Sequence, residues 1–164
     1  MRGFDFANSP AEVAAADLRG RRLVLRTFAG TRGAVAATSA TRLWCAGLAN
    51  ASATALAVQD SGLGTPSYVI TGQHPDDPER GADDRETAAY IEAVRTGRPV
   101  DPDRTGHRIA HSTEAARTRS LGIEHVHPRD IELATHADVF DFAMEAHRTD
   151  GALVLHRRPV RSRP

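Results

Sequence analysis

Lysine is missing from this 164-residue chain: all 21 of its basic residues are arginine. That absence removes the phosphate-loop lysine, the Schiff-base lysine and the lysine general base from the available chemistry. A single cysteine, Cys45, excludes an intramolecular disulfide and fits a reducing compartment. No apolar run approaches the ~20 residues that span a bilayer, and Met1-Arg2-Gly3-Phe4-Asp5 lacks the apolar core of a signal peptide. A soluble, cytoplasmic protein is the expectation. Net charge is lacking too, 21 acidic residues balancing 21 basic ones. Such a chain has no general attraction for nucleic acid or an anionic membrane. What is present is ordinary for a globular domain, 40% hydrophobic and 26% charged residues. The length suits one domain, over residues 1–156, that buries about 70% of its unfolded surface.

Apolar runs alternate with helical stretches, a pattern that predicts an α/β fold: three layers, α/β/α, around a mostly parallel or mixed sheet. Asn8-Ser9-Pro10 is a helix start, a capping side chain followed by proline, leading into an alanine-rich helix over 11–18. Dense apolar centres predict strands at 21–27 (RRLVLRT), 42–46 (RLWCA) and 67–71 (SYVIT). Helices are expected at 31–40, at 49–59 with Asn50 or Ser52 as cap, at 83–96, 108–121 and 128–135, with loops over 72–82 and 97–106. The end differs in kind. Thr149-Asp150-Gly151 between the runs 139–147 and 152–156 is the turn signal of an antiparallel hairpin. Residues 157–164 form a basic, proline-containing tail expected to be flexible. Three strands before the hairpin make a narrow sheet for so many helices.

In open α/β sheets ligands bind beyond the carboxyl ends of the strands, and three loops qualify. In Thr27-Phe28-Ala29-Gly30-Thr31-Arg32-Gly33, Gly30 lets backbone approach an anion, Thr31 adds a hydroxyl and Arg32 a planar fork suited to phosphate or sulfonate. An ordinary glycine-containing connection with a solvated arginine fits the same residues. Ala46–Ser52 repeats the design with Asn50 as cap or ligand donor. The third loop carries Asp76, Asp77, Glu79, Asp83, Asp84 and Glu86. Such carboxylates could hold Mg²⁺, which takes oxygen ligands and keeps several waters, or simply face solvent and a helix dipole.

Other patterns carry less. Asp101-Pro102-Asp103-Arg104-Thr105 matches an aspartyl-phosphatase signature, but that chemistry needs the end of a buried strand, and proline interrupts this one. His107 and His111 share a helix face without the glutamate of a zincin. Cys45 lacks the downstream arginine of a cysteine phosphatase and reads as a small buried hydrophobe.

Together the segments resemble the 2-phosphosulfolactate phosphatase (ComB) family. Residues 4–10 (FDFANSP) resemble its Gly-Phe-Asp-x-Gly-Asn-Ser-Pro segment, and residues 23–33 (LVLRTFAGTRG) its strand followed by Thr-Asn-Gly-Thr-Arg. Residues 46–55 are similar to its Leu-x-Asn-Ala-x-Ala segment, and Asp83-Asp84 with Ala88-Ala89-Tyr90-Ile91 to its Glu-Asp-x-x-x-Ala-Gly-x-Ile. All four run in order over residues 4–96. The resemblance implies Mg²⁺-dependent hydrolysis of a small phosphate monoester such as 2-phospho-3-sulfolactate. It makes Arg32 and Asp84 the catalytic pair and Gly30, Thr31, Asn8 and Asn50 the substrate-binding residues. Asp84 and Asp83 become the metal ligands. Ala29, Asp83 and Ala89 stand where the family has Asn, Glu and Gly. Family members also carry an upstream strand with Asp-Val-x-Arg-Ala-Thr, so the domain is expected to be N-terminally incomplete, and an open sheet edge there would favour homo-oligomers. The competing expectation is a shortened, non-catalytic relative that only binds anions.

Overall fold

The computed structural model describes residues 3–74, 76–77 and 80–160. Within them the chain mixes seven helices with one three-stranded antiparallel sheet of order β1-β2-β3.

The helix starts follow their capping chemistry. Ser9 caps α1 (Pro10–Ala15), its hydroxyl accepting from the Glu12 amide at 3.2 Å. The same hydroxyl donates to Asp130 Oδ1 at 2.7 Å, which also accepts from the Ala11 amide at 3.0 Å, while Asp130 Oδ2 accepts from the His127 amide at 3.0 Å. A buried carboxylate thus ties α1 to α7 (Asp130–Thr135). Burial opposes ionisation of Asp130, but the Ala11, Ser9 and His127 bonds outweigh it and hold its pKa below the ordinary range.

The core lies where α3 (Ala51–Asp60), α4 (Ala82–Arg95) and α5 (Pro102–Ala110) meet. Leu48, Ala51, Ala55, Tyr90, Ile91 and Ile109 form its cluster. Alanines on α3 let α4 approach closely, so Tyr90 and Ile91 are almost wholly buried. Each aliphatic or aromatic side chain so buried stabilises by roughly 1.5–3 kcal/mol. The 97–106 stretch is helical from Pro102, because Asp101 caps the Arg104 amide at 2.9 Å with proline at the first helical position. The single helix expected over 108–121 is two, since Ser112 starts α6 (Thr113–Ser120).

The hairpin is as expected. β2 (Phe142–Thr149) and β3 (Ala152–Pro159) are joined through Asp150 and Gly151, with φ of 50° and 78°. Two positive φ values give the turn whose twist matches the strands. The tail is shorter than expected because Arg157, Arg158 and Pro159 belong to β3. β1 (Leu43–Cys45) pairs with β2. Trp44, Glu145 and His156 are cross-strand neighbours and share one face of the sheet. Glu145 is 3% exposed. Its Oε1 accepts from Arg42 Nε at 2.7 Å and Nη2 lies 2.6 Å away, while Arg158 Nε lies 3.1 Å from Oε2. The Arg42 bond is the main force holding Glu145 below the usual carboxylate range.

The expected parallel pairing is absent from the described sheet: 21–27 and 67–71 join no ladder. Leu23, Val24 and Leu25 are 62%, 82% and 63% exposed. Three consecutive aliphatics need apolar cover on both faces, as in the interior of a parallel sheet, and no described element supplies it. Neither α1 nor α2 (Gly30–Ala36) buries a residue completely.

Candidate functional site

The turn before α2 closes on itself. The Thr31 amide donates to Thr27 Oγ1 at 3.2 Å, and the Thr27 amide donates to Thr31 Oγ1 at 3.1 Å. The Thr31 hydroxyl in turn donates to the Thr27 carbonyl at 2.6 Å. Thr31 therefore spends its hydroxyl on shaping the loop. The Gly30 and Arg32 amides have no intramolecular acceptor among the described residues. Arg32 is exposed, its guanidinium 5.5 Å from the centre of the Phe28 ring. Stacking occupies the face of a guanidinium and leaves its edge N–H groups for an oxyanion.

Thr71 connects this turn to the acidic helix start. A Cβ on Gly33 would fall 2.5 Å from Thr71 Cγ2, so only glycine lets α2 lie this close without moving that side chain. The Thr71 hydroxyl donates to Asp84 Oδ2 at 3.1 Å, and the Gly72 amide donates to the same oxygen at 3.0 Å. Gly81, at φ 72°, turns the chain into α4 beside Gly72. Glu114 of α6 reaches across, its Oε1 accepting from the Gly81 amide at 3.0 Å, while its Oε2 is buried without a hydrogen-bond partner. Half-buried Asp83 has a raised pKa. Burial is the main cause, and the Asp84 and Glu114 charges add to it.

A half-buried Asp83 that resists ionisation, with Asp84 and the orphaned oxygen of Glu114, makes a hard-oxygen set with which Mg²⁺ is chemically compatible. Among the described residues no group of three or more His, Cys, Asp or Glu side chains is placed to hold a metal, so two protein carboxylates with water is the composition this set could supply. Asp76 and Asp77 lie on the preceding loop, Asp77 accepting from Arg117 at 2.6 Å, while the other end of that guanidinium lies 3.4 Å from Glu114; Glu79 falls outside the described residues.

The remaining expected site residues stand elsewhere. Asn8 is exposed ahead of α1, and no described contact links it to Arg32 or Asp84; its neighbour Ser9 does the capping. Asn50 is buried, its Oδ1 accepting from the Gly47 amide at 3.0 Å and its Nδ2 donating to the Phe142 carbonyl at 3.5 Å. It fastens the Leu48–Asn50 turn to the sheet. α3 is capped instead by Asp138, which accepts from the Ser52 amide at 2.7 Å, the Ser52 hydroxyl at 2.6 Å and the Tyr90 hydroxyl at 2.7 Å. Asp138 sits at φ 55°, a conformation that aspartate tolerates better than most residues. Burial, with the Asp138 bond, pushes Tyr90 up to about 12. Thr71, Glu114, Asp130, Asp138 and Glu145 carry no motif of their own. Apart from local contacts such as His127 to Asp130, their partners lie 13 to 121 residues away in sequence.

Comparison with known proteins covers one side of this arrangement, the turn before α2. The model of the 2-phosphosulpholactate phosphatase family matches residues 1–73, which hold the Gly30–Arg32 turn but stop short of Asp83 and Asp84. A particular relative is the probable 2-phosphosulfolactate phosphatase of Bacillus subtilis (strain 168), 32% identical over 100 residues that make up 61% of this chain and 42% of that protein. The chain thus matches less than half the length of this curated relative. Both findings bear out the resemblance carried by the N-terminal segments. No solved structure matches. Among the described residues no helix is long and apolar enough to cross a membrane.

Proposed function

We propose that the chain is a phosphoric monoester hydrolase of the 2-phosphosulfolactate phosphatase kind, acting on a small dianionic phosphate ester such as 2-phospho-3-sulfolactate. One observation carries the reading: the turn inside the family match is joined through Gly33 and Thr71 to the Asp84 carboxylate. The Gly30 and Arg32 amides and the Arg32 fork would bind phosphoryl oxygens from one side, with the Thr27–Thr31 ring holding the turn in shape. Asp84, fixed by Thr71 and Gly72, would hold Mg²⁺ together with Asp83. Bound there, the ion would polarise the ester and offset developing charge. Arg32 would stabilise the same charge by electrostatic complementarity. Thr31 serves this reading through its loop, and Asn50 through the Leu48–Asn50 turn. Asn8 is assigned to substrate by the resemblance alone.

The test is Mg²⁺-dependent phosphate release from 2-phospho-3-sulfolactate by this chain, with anion titration alongside. Arg32→Ala should weaken phosphate binding about tenfold or more, the scale of a charge-assisted pair, while Arg98→Ala leaves it unchanged. Equal losses would remove the turn from the site. Phosphate binding without release would favour the anion-binding relative over the enzyme.

A further inference from the structure

Two of the chain's eight histidines stack on each other at the end of α5. His107 and His111 stand one turn apart on its exposed side, with ring centroids 4.1 Å apart and planes inclined by 24°. The opposite side of the helix is fixed. Thr105, Gly106 and Ile109 are buried, and a Cβ on Gly106 would overlap the Thr135 carbonyl oxygen, so α5 lies hard against α7. The His107 carbonyl accepts twice from His111, from its backbone amide at 3.1 Å and from ring Nδ1 at 2.8 Å. A carbonyl can only accept, so the His111 ring proton sits on Nδ1 and the lone pair is left on Nε2. A metal-ligating imidazole is commonly set up this way, its second nitrogen tied to a carbonyl. The carbonyl end of a helix also favours a cation. Arg108, between the two histidines in sequence, is already paired: Glu86 Oε2 accepts from its Nε at 2.9 Å and its Nη2 at 2.7 Å.

We propose that His107 and His111 form a binding site for a late first-row divalent ion, Cu²⁺ ahead of Ni²⁺ and Zn²⁺, held by the two imidazoles with water in the remaining positions. Imidazole bonds of ~2.0–2.1 Å place two neighbouring ligand nitrogens roughly 3 Å apart. Rings stacked at 4.1 Å reach that spacing with small torsional adjustments. Imidazole suits these ions, and their order follows intrinsic affinity. Among the described residues no group of three or more His, Cys, Asp or Glu side chains is placed to hold a metal, so the ion keeps open positions for an exogenous donor. Mg²⁺ is no competitor here because it takes oxygen ligands, and this donor chemistry separates the pair from the carboxylates at the start of α4.

The test titrates Cu²⁺ alone into the full chain in a non-chelating buffer, with affinity read by equilibrium dialysis and location by paramagnetic broadening of NMR signals. The first equivalent should broaden His107 and His111 before any other histidine. His107→Gln and His111→Gln should each weaken that equivalent about tenfold or more, because the second ligand acts at high effective concentration. Circular dichroism should stay unchanged, since both side chains are exposed. His147 and His156 make the other ring pair, with centroids 5.1 Å apart, and serve as controls. His147→Gln and His156→Gln should leave the first equivalent untouched, and excess Mg²⁺ should not displace it. Broadening that begins at another histidine overturns the proposal, as does an equal loss in the hairpin variants. A loss in only one of the two α5 variants, or displacement by Mg²⁺, overturns it too.

Discussion

The two ends of the chain carry similar strand-forming runs and treat them oppositely. In β2 the polar residue Glu145 is 3% exposed, while in the N-terminal run Val24 is 82% exposed. Intrinsic preference would place them the other way round. What separates them is backbone pairing. β2 has a ladder on each side, so its inward positions are covered and even a carboxylate can be held there by Arg42 and Arg158. Residues 23–25 have the apolar side chains and no ladder. Burial therefore follows partnership between segments, and hydrophobicity alone does not secure it.

The sharpest way to break this contrast is at its buried end. Glu145→Ala leaves two guanidinium groups facing each other across the sheet and should destabilise the chain by about 3 kcal/mol, the lower part of the range for a buried pair because both arginines are partly exposed. Urea unfolding followed by Trp44 fluorescence measures it. Because the folded pKa of Glu145 is depressed, its contribution is complete above the unfolded carboxylate value and is lost as pH falls through the folded one. A loss no larger than that of an exposed substitution would show the network to be incidental. Asp130→Ala comes next, at about 2 kcal/mol for three lost hydrogen-bond anchors. Its effect should concentrate in α1, with amide exchange at residues 11–15 accelerating before any global unfolding. Exchange that rises equally in α4 would contradict a local anchor.

How far the sequence alone reaches follows the same division. The Ser9 cap, the Asp150-Gly151 turn and helix α4 were legible because their causes lie within a few residues of one another. Asp101 and Pro102 were equally local, and reading the surrounding prolines and glycines as loop hid a proper helix start. Residues 21–27 read as a strand from composition, but a strand is a relation with a neighbour, and composition at one position does not report whether the neighbour exists. Among the candidate site residues, the Gly30–Arg32 turn and Asp84 were legible as loop chemistry and are linked through Thr71. The bonds of Asn50 to Gly47 and Phe142 were not legible, because in sequence a buried asparagine fastening a turn looks like one facing a ligand. Glu114 and Asp138 were invisible, since each acts on a helix start distant in sequence.

Asp83 sharpens the comparison from the site itself, with a smaller effect of opposite sign. Its raised pKa means that the fold favours the protonated form, so stability falls as pH rises through the folded value. Asp83→Asn should therefore match the parent at low pH and exceed it at pH 7 by something under about 1 kcal/mol, because a half-buried group is still screened by solvent. Mg²⁺ should close that gap by stabilising the parent more than the variant, read as a shift in Tm. A gap that stays constant from pH 3 to pH 7 would mean that the ionisation of Asp83 is not its source.

The smallest effect is expected where the apolar residues are most conspicuous. Val24→Asp removes a side chain that contributes almost no buried area, so its free energy of unfolding should change by less than about 0.5 kcal/mol, as at other exposed positions. The binding of a hydrophobic dye should nevertheless fall, because the exposed patch is interrupted. A large loss of stability would show that residues 23–25 are packed in the isolated chain, and the contrast with β2 would then vanish.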